Sequence, residues 1–433
     1  MRKFSRVIAV VLAVVLCLAT FGGCKKDEGP KTDELVKDFT VNVYSWWDPT
    51  HPGITALKKG FEEKYKDYNV KLNFVMIADY YTTMLTKLAA NKLSGGKGEQ
   101  IDVMMLATDQ LGHFASNKVI QPLDKYASKE YLDDLYPAVL KGLHYDNHLY
   151  ALARDITTKC MILNLDIFEK YGIKVPEEGW TLEDFKAICL KLAEQKDDVW
   201  GYSFDNNCDP LYIWSYLFGG DYFDPQTNTS LVSGDGSVKG FQFLYDLIQK
   251  DGVMSLSETT EYGKFTDAFN KDKAAMISGG LSQVDKVEKA KKNFKVIPLP
   301  LSTNGEQQSH VFINAWTIPE CSTNVAWAWK VIEYFSGSEG QKLACDAGMG
   351  LPASQTADIK SWIAAKGFRQ EFVDALGYKG TVPYLSAKNG PIWQTNFKKL
   401  IADKVFDVAG LTPDQVKAAL VEMNKSLDAD LKK

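Results

Sequence analysis

The chain has 433 residues, of which 45% are hydrophobic and 24% are charged. This length predicts at least two hydrophobic cores, because a single core stops growing at roughly 250–300 residues. The 50 Lys and Arg against 55 Asp and Glu give a formal net charge of −5, and nothing in this balance suggests the basic face that a nucleic-acid partner requires.

The first 23 residues predict a secretory signal rather than part of the fold. Three basic side chains among the first six residues precede an apolar run over residues 7–21, which is shorter than the ~20 residues that a membrane-spanning helix needs. "ATFGGC" resembles the end of a lipoprotein signal, and on that interpretation Cys24 is the lipidated first residue of the mature chain. Residues 24–38 then predict a flexible, charged tether. The alternative is an ordinary secretory signal with an unrelated Cys.

Strand and helix patterns alternate from residue 39 onward. "VNVYS" predicts a first strand, which ends at "WWDPTHP" because its two prolines remove backbone donors. Apolar residues recur at helical spacing in "ITALKKGFEEKY", "VKLNFVMI" predicts a strand, and "YYTTMLTKLAANKL" predicts a helix. "IDVMML" is typical of a strand covered on both faces. This β-α-β-α order predicts a parallel sheet flanked by helices.

The same order of elements recurs from "ALARDITTKCMILNLDIFEKYG" onward, so the sequence predicts a second α/β lobe. A hydroxyl residue followed three positions later by an acid or an amide is typical of a helix N-terminus. The chain has this capping pattern at Thr181 with Asp184, Ser338 with Gln341, and Thr412 with Gln415.

The residue patterns that usually carry catalysis are missing from the sequence. It contains no GxSxG, HExxH or Walker motif. His144 and His148 have a spacing that suits a metal on a helix, but "HYDNHLY" predicts a turn there. "DPQTNTSLVSGD" spaces its oxygen ligands like a calcium loop, yet Thr229 stands where that loop needs Gly and Asp235 where it needs Glu, so a surface hairpin is favoured. We therefore expect no catalytic residue, no metal and no cofactor.

The mature chain keeps five cysteines besides Cys24. No two of them have a CxxC or zinc-ligand spacing. We expect small buried hydrophobic side chains, with one disulfide left open as an alternative. They are Cys160, Cys189, Cys208, Cys321 and Cys345.

Aromatic residues are abundant, with ten Trp and twenty Tyr. Not all of them suit a core, because indole N–H and phenol O–H groups need polar partners. In an α/β lobe, ligands bind where strand ends face a crevice, and aromatic faces beside carboxylates suit a sugar ring. The alternative is ordinary core and rim packing. The aromatics that stand beside turn residues at the ends of segments are Trp46, Trp47, Tyr212, Trp214, Tyr384 and Trp393.

A series of segments in a fixed order carries a family resemblance. "FEEKYKDYNVKLNFV", "IDVMMLATDQLGHFASNKVIQPLDKY", "LYALARDITTKCMILNLDIFEKYGI" and "GWTLEDF" come first, followed by "FGGDYFD", "FNKDKAAMISGG", "VIPLP" and "SGSEGQKLACDAGMGLPAS". Together they resemble the family 1 extracellular solute-binding lipoproteins of bacterial ABC importers, which are relatives of maltose-binding protein. The resemblance covers nearly the whole mature chain.

This resemblance implies a two-lobed periplasmic-binding-protein fold of the type II kind. Each lobe would be a mostly parallel sheet flanked by helices, with a ligand cleft between the lobes. The chain would cross between the lobes near residues 154–157 and again near residues 312–316. The N-terminal lobe would comprise residues 39–154 and 313–360, and the C-terminal lobe residues 155–312 and 361–433.

The resemblance also implies a set of ligand-binding residues at the cleft. A sugar ring would cover at least one of the two adjacent tryptophans, and carboxylates would accept hydrogen bonds from its hydroxyls. In the N-terminal lobe and its crossover strand these residues are Trp46, Trp47, Asp48, Asp109, Asp155 and Thr157. In the C-terminal lobe and just past the second crossover they are Tyr212, Trp214, the backbone at Gly279 and Gly280, Trp316 and Trp393.

The function that the resemblance implies is binding without catalysis. A monomer anchored by the lipid on Cys24 would capture a mono- or oligosaccharide outside the cytoplasmic membrane and deliver it to the transmembrane subunits of an ABC permease. No nucleic acid and no cofactor would take part. Two alternatives stay open: the same fold binding a peptide or a polyamine, and a lipid-anchored glycosidase, which would need a pair of carboxylates ~5–10 Å apart.

Overall fold

The computed structural model describes residues 35–384 and 386–432, so the predicted signal, Cys24 and most of the tether lie outside the described residues. The strands are β1 (Thr40–Ser45), β2 (Lys71–Met76), β3 (Val103–Ala107), β4 (His144–Tyr145), β5 (His148–Leu149), β6 (Leu152–Thr157), β7 (Cys160–Asn164), β8 (Trp200–Ser203), β9 (Phe223–Asp224), β10 (Thr229–Ser230), β11 (Ala274–Gly279), β12 (Phe294–Ile297), β13 (His310–Thr317) and β14 (Val382–Pro383).

The α-helices are α1 (Pro52–Lys64), α2 (Tyr80–Leu93), α3 (Leu111–Ser116), α4 (Lys129–Asp133), α5 (Pro137–Gly142), α6 (Leu165–Lys170), α7 (Leu182–Ala193), α8 (Cys208–Leu217), α9 (Asp235–Ile248), α10 (Leu256–Tyr262), α11 (Phe265–Asn270), α12 (Leu281–Lys289), α13 (Val325–Ser336), α14 (Ser338–Asp346), α15 (Lys360–Ala365), α16 (Arg369–Gly377), α17 (Gly390–Ile401) and α18 (Pro413–Lys432). Short 3-10 turns cover Lys66–Tyr68 and Thr108–Gln110, and a π-helical turn covers Ala402–Phe406.

The first lobe is built on a sheet with the strand order β14-β13-β3-β1-β2, and β6 also pairs with β13. β1 runs parallel to both β2 and β3, as the alternation of strands and helices predicts. β3 lies inside the sheet and all five of its residues are buried, which is why its sequence is continuously apolar. Helix α1 packs on this lobe through Ile54, Leu57 and Phe61, which follow one helical face.

The second lobe is built on a four-stranded sheet with the order β12-β7-β11-β8. Only β8 and β11 run parallel in it, since β7 pairs antiparallel with both β11 and β12. Both sheets are mixed: three of the five strand pairings are parallel in the first sheet and one of three in the second. The antiparallel pairs come from β7 and β13, the strands that follow the first two passages of the chain between the lobes. Two α/β lobes with helices against their sheets confirm the predicted fold class.

Two crossover strands join the lobes. β6 ends at Thr157 and β7 of the second sheet begins at Cys160, so two residues make the first passage. β13 returns to the first sheet and pairs antiparallel with β6, with Asn314 opposite Asp155. Near the C-terminus β14 adds a parallel strand to β13 of the first sheet, while Val382 packs against the core of the second lobe.

The predicted capping boxes form where their side chains are not hydrogen-bonded elsewhere in the fold. The capping boxes at Thr181 with Asp184 and at Thr412 with Gln415 are confirmed. The one at Ser338 is wrong, because Gly337 is the N-cap residue of α14. Gln341 is buried instead, and its side-chain oxygen accepts from the backbone N–H groups of Ala353 and Ser354.

The two segments with metal-like spacing both form hairpins. β4 and β5 are joined by Asp146 and Asn147 at φ values of 49° and 64°, which these residue types tolerate, and the hairpin carries His144 and His148. β9 and β10 form the hairpin predicted at residues 224–235. Among the described residues no group of His, Cys, Asp and Glu is arranged to hold a metal ion, and the five cysteines there are unpaired.

Candidate ligand-binding cleft

A cavity of about 570 Å³ lies between the two lobes, and both crossover strands form part of its wall. The first lobe and the crossovers contribute Trp47, Asp109, Asp155, Ile156, Thr157, Lys159, Phe312 and Asn314. The second-lobe side contributes Asn207, Asp209, Leu281, Ser282, Gln283 and Asp285. The segment after α14 contributes Gly348, Met349, Gly350, Trp362, Arg369, Tyr384 and Gln394.

Four of the residues predicted from the sequence line this cavity together. They are Trp47, Asp109, Asp155 and Thr157. Trp47 follows the end of β1, Asp109 follows the end of β3, and the other two lie in β6. The ends of parallel strands β1 and β3 meet at one edge of the sheet, and this edge faces the cavity.

Trp46 and Asp48, which flank Trp47, do not line the cavity. The Trp46 ring packs edge-on against Tyr80 with 5.1 Å between the ring centroids, and it also contacts Tyr81. Asp48 is exposed, and its carboxylate accepts hydrogen bonds from the side chain and backbone of Thr50, which lower its pKa. Trp47 is therefore the member of the WW pair that a ligand in the cavity can reach.

The remaining predicted tryptophans lie in the cores of the lobes and not at the cavity. Trp214, Trp316 and Trp393 are at most 1% exposed. The Trp393 ring stacks on Phe397 with 5.1 Å between centroids, and Trp316 packs against Phe335. An indole that is at most 1% exposed and packed against other rings offers no face to a ligand. The structure therefore does not place these three tryptophans at the cavity.

Tyr212 and the Gly279–Gly280 pair lie just behind the wall of the cavity. Tyr212 is buried, and its hydroxyl donates to Asp221 at 2.9 Å. The Gly280 N–H donates to Gln283 Oε1 at 3.0 Å, and Gln283 does line the cavity. A Cβ atom at Gly280 would lie 2.2 Å from Thr157 Oγ1, so a glycine there lets the second lobe approach the crossover strand.

Asp109 is the buried carboxylate of the first-lobe wall. Burial raises its pKa, and hydrogen bonds from the Gln110 and Gln394 side chains oppose the increase. Its Oδ1 atom accepts no hydrogen bond from a described residue. Gln394 belongs to α17, so this carboxylate also links the first lobe to a helix that packs on the second.

Asp155 forms the floor of the cavity together with two partners. It makes an ion pair with Arg154, and Asn314 Nδ2 of the opposite crossover strand donates to its Oδ1 at 3.0 Å. Burial raises the pKa of Asp155, whereas the Arg154 charge opposes that increase. The Arg154 guanidinium in turn lies 4.6 Å from the centre of the Trp47 ring.

A charged cluster that the sequence did not predict connects the crossovers to the second lobe. Asp209, near the start of α8, pairs with Lys159 from the first passage and accepts from His310 Nε2 of β13 at 2.6 Å. Burial alone would raise the pKa of Asp209, but these two partners outweigh burial and hold it well below its usual range. Burial lowers the pKa of His310, against the opposing effect of Asp209.

Several other cavity residues were missed because they are far apart in the sequence. Trp362 lies on the six-residue helix α15, and Asn207, Gln283 and Gln394 have no pattern that distinguishes them from surface amides. Tyr384 is the exception, because its position beside a proline at the end of a segment already places it among the candidate aromatics, and it lines the cavity.

The helices of the part of the chain that the structure describes, residues 35–384 and 386–432, include none with the length and hydrophobicity of a membrane span.

Sequence comparisons agree with this architecture. The family model described as bacterial extracellular solute-binding protein matches residues 47–342. A maltotriose-binding protein from Pyrococcus abyssi is 24% identical over 313 residues, which are 70% of this chain and 66%, just under two thirds, of that protein. A maltooligosaccharide ABC transporter solute-binding lipoprotein from Streptococcus pneumoniae is 22% identical over 403 residues, with 88% of each chain covered.

Solved structures share the fold. An ABC substrate-binding protein from Listeria monocytogenes in complex with cycloalternan matches with a TM-score of 0.73 at 21% identity, over 90% of this chain and 98% of that one. A cyclo/maltodextrin-binding protein complexed with maltotetraose matches with a TM-score of 0.72 at 18% identity, over 93% and 98%. Since the family model covers most of the chain and both lobes are present, this chain belongs to the bacterial extracellular solute-binding protein family.

Proposed function

We propose that this protein is the carbohydrate-binding component of an ABC importer. It captures a mono- or oligosaccharide outside the cytoplasmic membrane and delivers it to the transmembrane subunits of the permease. The single observation that carries this proposal is the composition of the cavity wall, where an indole, a buried carboxylate and side-chain amides from both lobes surround one space.

This wall has the chemistry that a sugar ring requires. The apolar face of a sugar can stack on Trp47, and its hydroxyls can donate to the carboxylates of the cavity wall. Gln283, Asn314 and other amides both donate and accept, which suits groups that do the same. Several relatives are named for maltotriose, maltooligosaccharide or arabinooligosaccharide binding, and these names support the same class of ligand.

The proposal includes binding without bond cleavage. Asp155 and Asp209, two of the carboxylates in the wall, are each engaged by a cationic side chain, Arg154 and Lys159 respectively. A glycosidase needs one carboxyl held as an acid opposite a second that is free to act as base or nucleophile. A polyamine binder would need several ionised acids without a cationic partner. Of the four carboxyl groups in the wall, Asp155 and Asp209 are paired, and burial raises the pKa of Asp109, whose side-chain partners are amides. These contacts favour a neutral, hydroxyl-rich ligand.

The proposed location is extracytoplasmic, with a lipid on Cys24 as the anchor and a monomeric protein beyond the tether. The signal-like segment and the charged tether around Cys24 support this anchor. Radioactive fatty acid fed to cells should label the wild type and leave Cys24→Ser unlabelled. Equal labelling of the two would remove the lipid anchor from the proposal.

Thermal unfolding with a panel of compounds tests the function. Oligosaccharides, peptides and polyamines are added separately to the purified chain, because a ligand at 100 times its Kd stabilises the folded state by about 2.7 kcal/mol. We expect the midpoint to rise with a carbohydrate and to stay unchanged with the other two classes. A rise with peptides or polyamines alone would contradict the proposal. Chromatography of the same samples should recover every glycan intact.

A further inference from the structure

The two tryptophans that line the cavity share an arrangement that other tryptophans in the described chain lack. Trp47 comes from the first lobe and Trp362 from the segment after α14. The guanidinium of Arg154 lies 4.6 Å from the centre of the Trp47 ring, and that of Arg369 lies 4.1 Å from the centre of the Trp362 ring. The other cation–ring contacts of the described residues join a lysine to a tyrosine or a phenylalanine.

Arginine is rare in this sequence, and the two arginines after Cys24 are the ones that contact the cavity tryptophans. The whole chain contains four arginines among its 50 basic residues, and two of them, Arg2 and Arg6, precede Cys24. The mature chain therefore has only Arg154 and Arg369, and both contact a cavity tryptophan. Every other basic position after Cys24 is a lysine. A flat, delocalised guanidinium stacks on an indole, whereas an ammonium group is a compact point charge.

Hydrogen bonds and ion pairs with described residues use only part of each guanidinium group. Among the described residues Arg369 takes part in no ion pair, and the one hydrogen bond of its guanidinium goes to the backbone oxygen of Trp362. Arg154 pairs with Asp155, yet its Nη1 and Nη2 atoms donate to no described residue. For both guanidinium groups the indole is thus a principal contact.

The indole of Trp362 also lacks an anchor of its own. The residue is 6% exposed, and its Nε1–H finds no acceptor among the described residues. No ring–ring contact of the described residues includes Trp362, so the Arg369 guanidinium is the contact that we expect to orient this indole at the cavity wall. Fixing a side chain before binding removes an ordering cost from the binding step.

We propose that Arg154 and Arg369 are positioning residues, each of which holds one cavity tryptophan in the plane that a ligand stacks on. A ligand that fills the cavity then meets one arginine-backed indole from the first lobe and one from the segment after α14. This inference rests on the proposed function only in naming a carbohydrate as the ligand; the placement of the two rings does not depend on it.

The test uses Arg369, because removing it leaves no buried carboxylate unpaired. The mature chain is labelled with 5-fluorotryptophan, whose ten sites give separate ¹⁹F resonances, and Trp362→Phe assigns the resonance of Trp362. In Arg369→Met and in Arg369→Lys we expect that resonance to shift and broaden while the resonance of Trp47 is unchanged. Lys366→Met is the matched control, since Lys366 lies 5.9 Å over the Phe368 ring outside the cavity lining.

Carbohydrate affinity provides the second readout. Arg369→Met should weaken binding of the sugar found in the thermal panel by about three- to tenfold, with the unfolding midpoint retained. Arg369→Lys should not restore it. In a Trp362→Ala background the loss on removing Arg369 should disappear, because a positioning residue acts through the ring it holds.

Two results would overturn the inference. One is a Trp362 resonance that stays in place in Arg369→Met. The other is a pair of affinity losses that add in the double variant, which would mean that Arg369 contacts the ligand directly. If no sugar in the panel binds the wild type, the proposed function fails, whereas the ¹⁹F comparison still decides whether Arg369 positions Trp362.

Discussion

Truncating Trp47 and truncating its neighbour Trp46 should give opposite results. Trp47 lines the cavity and is partly exposed, whereas Trp46 packs on Tyr80 and Tyr81 in the first lobe. Removing the indole of Trp47 deletes a stacking surface, and burial of a large apolar side chain is worth roughly 1.5–3 kcal/mol. Since ~1.4 kcal/mol is a tenfold change in affinity, Trp47→Ala should weaken sugar binding by about 10- to 100-fold.

The effect of each substitution on stability separates the two roles. Trp47→Ala opens onto the cavity and leaves no closed void, so we expect only a small change in the unfolding midpoint. Trp46→Ala removes a ring from between two tyrosines, one of which, Tyr80, is buried. Truncating a large buried aromatic costs about 3–5 kcal/mol, and a partly buried one costs less, so Trp46→Ala should lower the midpoint.

Isothermal titration calorimetry gives the affinity, and thermal or urea unfolding without sugar gives the stability. The two variants serve as controls for each other because they change the same residue type at adjacent positions. The reasoning fails if Trp46→Ala loses as much affinity as Trp47→Ala while folding normally. It fails equally if Trp47→Ala lowers the midpoint and leaves sugar affinity unchanged.

Three further substitutions test the other parts of the cavity. Burial raises the pKa of Asp109 in the folded protein, so its ionisation destabilises the fold once the pH exceeds the pKa that this carboxyl has in the unfolded chain. Asp109→Asn should therefore raise the sugar-free unfolding midpoint at pH 7, and this gain should vanish toward about pH 4. The same substitution should weaken sugar binding. Asp209→Asn should cost about 3 kcal/mol in urea unfolding at pH 7, because Lys159 is left buried without its partner. The cost should shrink as the pH falls below about 4, because the unfolded wild-type carboxyl then takes up a proton that folded Asp209, with its lowered pKa, takes up only at a lower pH. Gly280→Ala should lower the midpoint, and Thr157→Ala added to it should restore the midpoint, since the new Cβ would otherwise meet Thr157 Oγ1 at 2.2 Å.

The fold was predictable because its signals are local. A continuous apolar run gives β3, apolar spacing gives α1, and a Thr–Asp pair gives the start of α7. Each depends on residues within one element. The failure at Ser338 has the opposite cause. The side chain that would complete the capping box, Gln341, is used by buried backbone N–H groups twelve or more residues away, and nothing near Ser338 reveals that.

The site was less predictable because its members are chosen by tertiary contacts. Trp46 and Trp47 are adjacent and chemically identical, and they differ only in their tertiary contacts: Trp46 packs on Tyr80 and Tyr81, whereas Trp47 packs on His51 and Arg154. Trp214 and Trp393 stand near turn residues just as a ligand-binding ring would, yet neighbouring aromatic side chains enclose both. Trp362 was overlooked because its helix has six residues and no strand precedes it closely.

The contacts at the crossovers explain why the binding cavity and the junction of the lobes involve the same residues. Asp155 in β6 and Asn314 in β13 bond each other and both line the cavity, while Lys159 after β6 and His310 in β13 both hold Asp209 of the second lobe. A ligand that contacts these strands therefore interacts with the groups that fix the second lobe against them. A ligand can change how the lobes are arranged only if it binds one arrangement more tightly than another. Because the cavity wall and the charged cluster share the same two strands, and Lys159 and Asp209 belong to both, we expect a change that loosens the cluster to alter the affinity for the ligand as well.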